Sequence, residues 1–211
     1  GWALADAAGL YFLKKGKKGR EGFMEVRRFL EVLHTAERLK DTTRHSYTSG
    51  GRHESVAEHS WRLALMAYFL RDEFPEADMD KVIRMCLIHD LGEAFTGDIP
   101  SFDKTKTDET REEDLLQQWV RTLPEGYAGE MLALYAEMEA RETVEAKLYK
   151  ALDNLEAVIQ HNEADLGTWI PLEYELNLTY GEDKAAFSPY LRRLRQAVKE
   201  DTMKKLGKTE E

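Results

Sequence analysis

Apolar residues recur at helical spacing along most of the chain, and polar stretches with Gly or Pro separate the periodic segments. No strand pattern longer than a few residues, no internal repeat and no interior Gly-, Pro- or Ser-rich linker interrupts this order. The sequence therefore predicts an all-α protein: one helical-bundle domain over residues 23–211, preceded by an N-terminal extension of residues 1–22. The predicted helices cover roughly 23–40, 55–74, 78–90, 109–123, 127–139, 143–161 and 188–206.

Three segments are predicted to lack regular structure. Residues 41–51 are polar and include Gly50 and Gly51, and residues 101–108 are polar and follow Pro100. Residues 167–181 are aromatic without a clear period. Binding residues are often found in loops, so the first two segments are candidates for contacts with a ligand.

The second predicted helix begins at a capping box, in which Ser55 caps the helix and Glu58 bonds back to it. At about 100° per residue, His59 lies on the same face as Val56 and Leu63 and therefore points inward. A lone histidine on an apolar face is more often a core residue than a ligand. Position alone thus favours a structural role for His59.

An unusual group of ionisable residues occurs where the next apolar helix ends. His89 and Asp90 close that helix, and Glu93 and Asp98 follow in a turn punctuated by glycines. One interpretation is a histidine favoured by the helix dipole beside a turn-forming aspartate. That interpretation leaves a carboxylate among apolar residues without a partner, which is costly. A metal site is therefore the stronger hypothesis.

Composition narrows the function classes. The 211 residues are 42% hydrophobic, enough for one core, and 33% charged, and no apolar run is long enough to predict a membrane span. A net charge of −10 argues against a general nucleic-acid binder. The single cysteine, Cys86, fits a reducing compartment, and the basic residues after residue 13 stand in the wrong order for a secretory signal. We therefore expect a cytoplasmic protein.

Two inward histidines, His59 and His89, together with Asp90 form the kind of ligand shell that holds a divalent ion with positions left open. Such an ion lowers the pKa of bound water and polarises a phosphoryl oxygen. Glu93 and Asp98 are close enough in sequence to orient or deprotonate water, and an arginine could grip a phosphate with two hydrogen bonds. The residues suggest hydrolysis of a phosphate ester.

These residues also resemble a known family. His59, the pair His89 and Asp90, and Asp153 resemble the metal signature of the HD-domain phosphohydrolases over about residues 23–161. Within that superfamily, the segments 54–59 (ESVAEH) and 89–100 (HDLGEAFTGDIP) are most similar to 5'-deoxynucleotidases acting on deoxyribonucleoside monophosphates. The resemblance implies an HD-type helical bundle with 5'-nucleotidase activity.

The resemblance implies a metal centre that holds one divalent ion, whether Mn, Co, Mg, Fe or Zn. Its ligands would be His59, His89, Asp90 and Asp153. Periodicity alone favours an exposed position for Asp153, because it lies opposite the main apolar stripe of its helix. Asp153 thus enters the ligand set by resemblance only.

The resemblance also implies catalytic roles. Glu93 corresponds to the acid that positions or activates water, Asp98 to the acid at the sugar or leaving oxygen, and Arg44 to the arginine that orients the phosphate. The expected substrate contacts are Arg44, His45, Asp98, Ile99, Pro100 and Ser101. His45 stands where bacterial members have a tryptophan, which leaves the choice of sugar open. The expected partner is a nucleotide, and neither a nucleic acid nor a membrane is expected. The resemblance also implies a homodimer.

Two alternatives stay open from the sequence. One is an HD-type hydrolase of another phosphate compound, such as a cyclic nucleotide, a nucleoside triphosphate or an alarmone. A two-metal version would need further histidines, and the remaining ones show no close pairing in sequence: His34, His45, His53 and His161. The other alternative is a non-catalytic nucleotide-binding module, although such a module needs neither Arg44 nor Glu93.

Overall fold

The computed structural model describes residues 23–100 and 102–208, which form ten α-helices and one small sheet. The long helices begin where the sequence offers capping side chains. Ser55 and Glu58 make the predicted capping box, and Asp78 accepts a hydrogen bond from the backbone N–H of Lys81. The helices are α1 Val26–Glu37, α2 Val56–Phe69, α3 Met79–Ile88, α4 Glu93–Thr96, α5 Lys106–Val120, α6 Glu125–Ala140, α7 Val144–Glu163, α8 Glu173–Thr179, α9 Glu182–Ala185 and α10 Pro189–Lys205.

Helix α7 lies at the centre of the bundle and packs against α2, α3, α6 and α10. Its main apolar stripe is fully buried through Leu148, Leu152 and Leu155. Leu63 of α2 and Met85 of α3 belong to the same core. A smaller apolar cluster joins the start of α2 to α5. The predicted all-α fold is confirmed.

Two segments predicted to be irregular contain regular structure. Residues 41–51 include strand β1, Thr43–Tyr47, which pairs antiparallel with β2, His53–Ser55. Residues 167–181 contain helix α8. Both predictions were wrong because these elements are three to seven residues long, too short for periodicity to show.

The β1–β2 hairpin is held on the bundle by α7. Gln160 donates a 2.6 Å side-chain hydrogen bond to the carbonyl of Tyr47. The strand β2 runs directly into the N-cap of α2, so the hairpin and that helix are fixed together. This arrangement places Arg44 and His45 of β1 beside the face of α7 that carries Asp153.

Some predictions concern residues outside the described ranges. The N-terminal extension of residues 1–22, Ser101 and the last three residues lie outside them, and the domain boundaries stay a prediction. Within residues 23–100 and 102–208, no helix combines the length and apolar character needed to cross a bilayer.

We predict that Leu152→Ala lowers the free energy of unfolding by about 2–5 kcal/mol, because it leaves a cavity beside the central helix. Urea denaturation followed by circular dichroism measures the change. Leu87→Ala on the exposed face of α3 is the matched control and should cost less than about 1 kcal/mol. Equal effects of the two substitutions would contradict the central place of α7.

Candidate metal centre and substrate cavity

Four predicted ligands converge from three parts of the chain. His59 comes from α2, His89 and Asp90 from the turn after α3, and Asp153 from α7. The Nε2 atoms of His59 and His89 are 3.2 Å apart. Asp90 Oδ2 lies 2.9 Å from His89 Nε2, and Asp153 Oδ1 lies 3.1 Å from His59 Nε2.

Hydrogen bonds on the far side of each imidazole decide which nitrogen faces the cluster. His89 donates through Nδ1 to the carbonyl of Cys86 at 2.9 Å, and His59 donates through Nδ1 to Glu156. In the neutral rings, each Nε2 is therefore an acceptor aimed at the other. The two nitrogen acceptors and Asp90 lie close enough to share one ion, with Asp153 beside them, and a cation would stabilise this group of acceptors.

The electrostatics of this cluster favour a cation. Burial lowers the pKa of His89, but Asp90 and Asp153 outweigh it and raise that pKa to about 10. The negative field that favours a proton on His89 also favours a divalent ion. Two imidazoles with two carboxylates suit Zn, Fe, Co or Mn, and the donor set alone does not choose among them.

Asp153 is largely buried, so the exposed position that periodicity favours for it is wrong. Helix α7 has a second buried face, which includes Ala146, Tyr149 and Glu156 as well as Asp153. Lys150 Nζ holds the other carboxylate oxygen of Asp153 at 2.6 Å. The position of Asp153 agrees with the resemblance, and its role as a ligand stays a prediction.

Sequence reasoning missed the residues that orient His59. Glu156 is fully buried, accepts the Nδ1–H of His59, and receives a 2.6 Å hydrogen bond from Arg62 Nε. Carboxylates in this position fix the tautomer and direction of a ligating histidine. The available signal was spacing: Glu156 follows Asp153 by three residues and so shares its face of α7.

The two predicted catalytic acids border the cluster. Glu93, the first residue of α4, is buried, and its Oε2 has no hydrogen-bond partner among the described residues. Burial, with Asp90 and Asp98 nearby, raises the pKa of Glu93 to about 10. Burial also raises the pKa of Asp98, against the opposing effect of Arg44. Both acids are stronger bases than exposed carboxylates.

Arg44 of β1 reaches the same cluster. Its Nε lies 3.4 Å from Glu54 Oε2, and a terminal nitrogen lies 3.9 Å from Asp90 Oδ2. Burial lowers its pKa, but Glu156, Asp90 and Glu54 outweigh this and raise the pKa. Arg44 therefore remains a guanidinium cation, placed to balance part of the acidic site.

A cavity of about 290 Å³ opens beside the cluster. Five of the six predicted substrate contacts line it, and the sixth, Ser101, lies outside the described residues. Asp90, Glu93 and Asp153 line the same cavity. The five lining contacts are Arg44, His45, Asp98, Ile99 and Pro100.

The spacing of the remaining histidines in the sequence suggested that they lie apart, but two of them lie close together. His45 and His161 approach the same carboxylate, Glu173 Oε1, at 3.0 and 3.2 Å. Among the described residues, however, both groups of three side chains close enough to share an ion include His59. These are His59, His89 and Asp90, and Glu54, His59 and Glu156. This geometry favours one metal centre.

The fold and the site together define a class: a helical protein whose buried histidine and aspartate cluster is built to hold a divalent cation beside a ligand cavity. Comparison with known proteins agrees. The family model for the HD domain matches residues 36–195. The chain belongs to the HD-domain family.

The chain is also similar in sequence to curated proteins and in structure to solved proteins. Human 5'-deoxynucleotidase HDDC2 is 34% identical over 142 residues, which cover 65% of this chain and 69% of the relative. The mouse protein is 35% identical over 138 residues, covering 64% and 68%. A crystal structure of a predicted metal-dependent phosphohydrolase from Magnetospirillum magnetotacticum superposes with a TM-score of 0.70 and 29% identity, covering 87% of this chain and 97% of that chain.

We predict that Glu156→Gln weakens Mn²⁺ binding about 10- to 100-fold, because His59 loses the carboxylate that orients it. Competition with a chelating dye measures the affinity, and circular dichroism melting checks the fold. The control is Glu163→Gln, which removes the other carboxylate partner of Arg62 at an exposed position and should bind like the parent. Unchanged Mn²⁺ affinity in a folded Glu156→Gln variant would refute the orienting role.

Proposed function

We propose that this protein is a metal-dependent 5'-nucleotidase that releases phosphate from nucleoside monophosphates. The observation that carries the proposal is the convergence of a cation site, a guanidinium, the buried acid Glu93 and the partly buried acid Asp98 on one cavity. The name of the HDDC2 relatives, 5'-deoxynucleotidase, supports the same activity. Deoxyribonucleotides are therefore the first substrates to test.

In the proposed reaction, His59, His89, Asp90 and Asp153 hold one divalent ion. When bound, that ion supplies Lewis-acid polarisation of the phosphate and lowers the pKa of water. Arg44 orients the phosphate and stabilises the charge that develops on its oxygens. These interactions are strong because the surrounding side chains are largely buried.

Glu93 and Asp98 supply proton transfer on the two sides of phosphorus. The unpartnered Oε2 of Glu93, beside the metal ligand Asp90 in the cavity, suits a base that accepts a proton from the attacking water. Asp98, with its raised pKa, suits donation of a proton to the sugar oxygen as the P–O bond breaks. The products are inorganic phosphate and a nucleoside.

A phosphate-release screen tests this function. Purified protein with Mn, Co or Mg should release inorganic phosphate from deoxyribonucleoside monophosphates, and chromatography of the products should show slower cleavage of cyclic nucleotides, triphosphates and alarmones. Preference for one of those compounds would favour a different HD-type hydrolysis. Strong nucleotide binding without turnover in any metal would favour the non-catalytic binding module.

We predict that His89→Ala and Glu93→Ala each lower kcat by at least about 100-fold, because one removes a ligand and the other the proposed base. Steady-state phosphate release measures the loss, with melting curves to show that both variants fold. Glu113→Gln, at an exposed position on α5, is the control and should keep parental activity. Substantial turnover by folded Glu93→Ala would exclude the proposed base.

The proposal also includes a homodimer and a cytoplasmic location. Helix α2 exposes a stripe of Trp61, Leu65 and Phe69, and exposed apolar patches of this kind often form interfaces. The buried free thiol of Cys86 suits a reducing compartment.

We predict that the protein sediments as a dimer and that Phe69→Lys shifts it to the monomer, because a charge would be buried in the apolar interface. Sedimentation equilibrium at several concentrations measures the mass. Glu73→Lys, an exposed change just beyond α2, is the control for added charge. A parental protein that stays monomeric would exclude this interface.

A further inference from the structure

The cavity extends from the metal cluster toward a second polar group that the proposed reaction does not use. Asp153 and His161 lie eight residues apart on α7, about 12 Å along the helix. Both line the cavity, as do Glu173 and Asn177 of α8. This span is comparable with the distance from the phosphorus of a purine nucleoside monophosphate to the far edge of its base. A phosphate held by Arg44 therefore places the base near Glu173.

Glu173 and Asn177 are buried but keep unused hydrogen-bonding capacity. Their side chains are 1% and 2% exposed, respectively. Glu173 Oε1 lies 3.0 Å from His45 Nε2 and 3.2 Å from His161 Nε2, but neither contact has hydrogen-bond geometry. Within the described ranges, Asn177 Nδ2 also has no hydrogen-bond partner. The other carboxylate oxygen of Glu173 accepts the backbone N–H of Ile170 at 2.8 Å. Buried groups without partners are costly, so a ligand that satisfies them gains affinity.

The histidine between them adds a second acceptor. His161 Nδ1 lies 3.0 Å from Asn177 Oδ1, an oxygen that can only accept, so the ring donates there. Burial, aided by His45 and Arg44, lowers the pKa of His161 despite Glu173, and the neutral ring leaves Nε2 as an acceptor. That atom faces Glu173 Oε1 at 3.2 Å. Two acceptors side by side need a ligand with two donors.

Aromatic surface completes this end of the cavity. Phe102 also lines it and meets the ring of His45 edge-on, with centroids 5.8 Å apart. Flat aromatic side chains stack with any nucleobase, whereas the polar edge decides which base fits. Here the polar edge offers two acceptors and one amide donor.

We propose that Glu173, His161 and Asn177 form a base-recognition subsite that selects guanine. Guanine presents two neighbouring donors, N1–H and the N2 amino group, beside one acceptor, O6. Adenine, cytosine and thymine each present a single donor group on that edge. The inference rests on the proposed function only in that the phosphate end of the ligand lies at the metal cluster.

Binding measured without turnover tests the subsite. Isothermal titration calorimetry with the Mn²⁺-loaded protein would compare non-hydrolysable 5'-phosphonate analogues of deoxyguanosine, deoxyinosine and deoxyadenosine. The guanine analogue should bind at least about tenfold more tightly than the hypoxanthine analogue, which lacks only the amino group. Equal binding of these two ligands by the parental protein would overturn the proposal.

Variants of α8 assign the selectivity to named side chains. Glu173→Gln should reduce the guanine preference to within about threefold, because an amide has one acceptor oxygen, which the N–H of Ile170 occupies, and its NH2 group would face the guanine donors. Glu175→Gln, on the same helix but exposed and paired with Lys208 at 3.3 Å, should keep the parental preference. An unchanged preference in Glu173→Gln would overturn the assignment. If that variant fails to fold, the three-ligand comparison on the parental protein decides alone.

A parallel assay separates this inference from the proposed function. Phosphate release from thymidine monophosphate and deoxyribose 5-phosphate depends on the metal cluster and not on guanine recognition. Release without any base preference would uphold the nucleotidase and overturn the subsite. Guanine-selective binding without phosphate release from any nucleotide would overturn the nucleotidase and uphold the subsite.

Discussion

The contact between helices α2 and α7 is the constraint on which the site depends. His59 is fully buried and bonds to Glu156 on one side while facing Asp153 on the other. Burying these charged groups is unfavourable unless each has a partner, which favours the register in which His59 meets both Glu156 and Asp153. That register brings His89 and Asp90 to the same point.

The central position of α7 explains how one helix serves both stability and chemistry. One face carries leucines that fill the core, and the other carries Asp153, Glu156 and, two turns after Asp153, His161. Because a helix is stiff, these side chains keep fixed spacings along the cavity. A nucleotide lying along α7 would meet the metal centre first and the Glu173 group at its other end.

The β1–β2 hairpin and α8 carry residues of the cavity, and periodicity predicts neither element. Strand β1 carries Arg44 and His45, and α8 carries Glu173 and Asn177. Strand β1 packs against α7, as the Gln160 to Tyr47 bond illustrates, and α8 packs against α10. Elements this short gain most of their stability from such packing. Their own sequences therefore contain only weak local signals.

The sequence by itself determined the helical class, the main caps and the residues around His89, because amphipathic periods and capping boxes are local properties. Resemblance supplied Asp153, which periodicity would have left in solvent. Only the tertiary structure decided that Glu156 orients His59 and that His45, His161 and Glu173 meet in one cavity. Those contacts join residues far apart in the chain, so helix packing, and no local pattern, sets their distances.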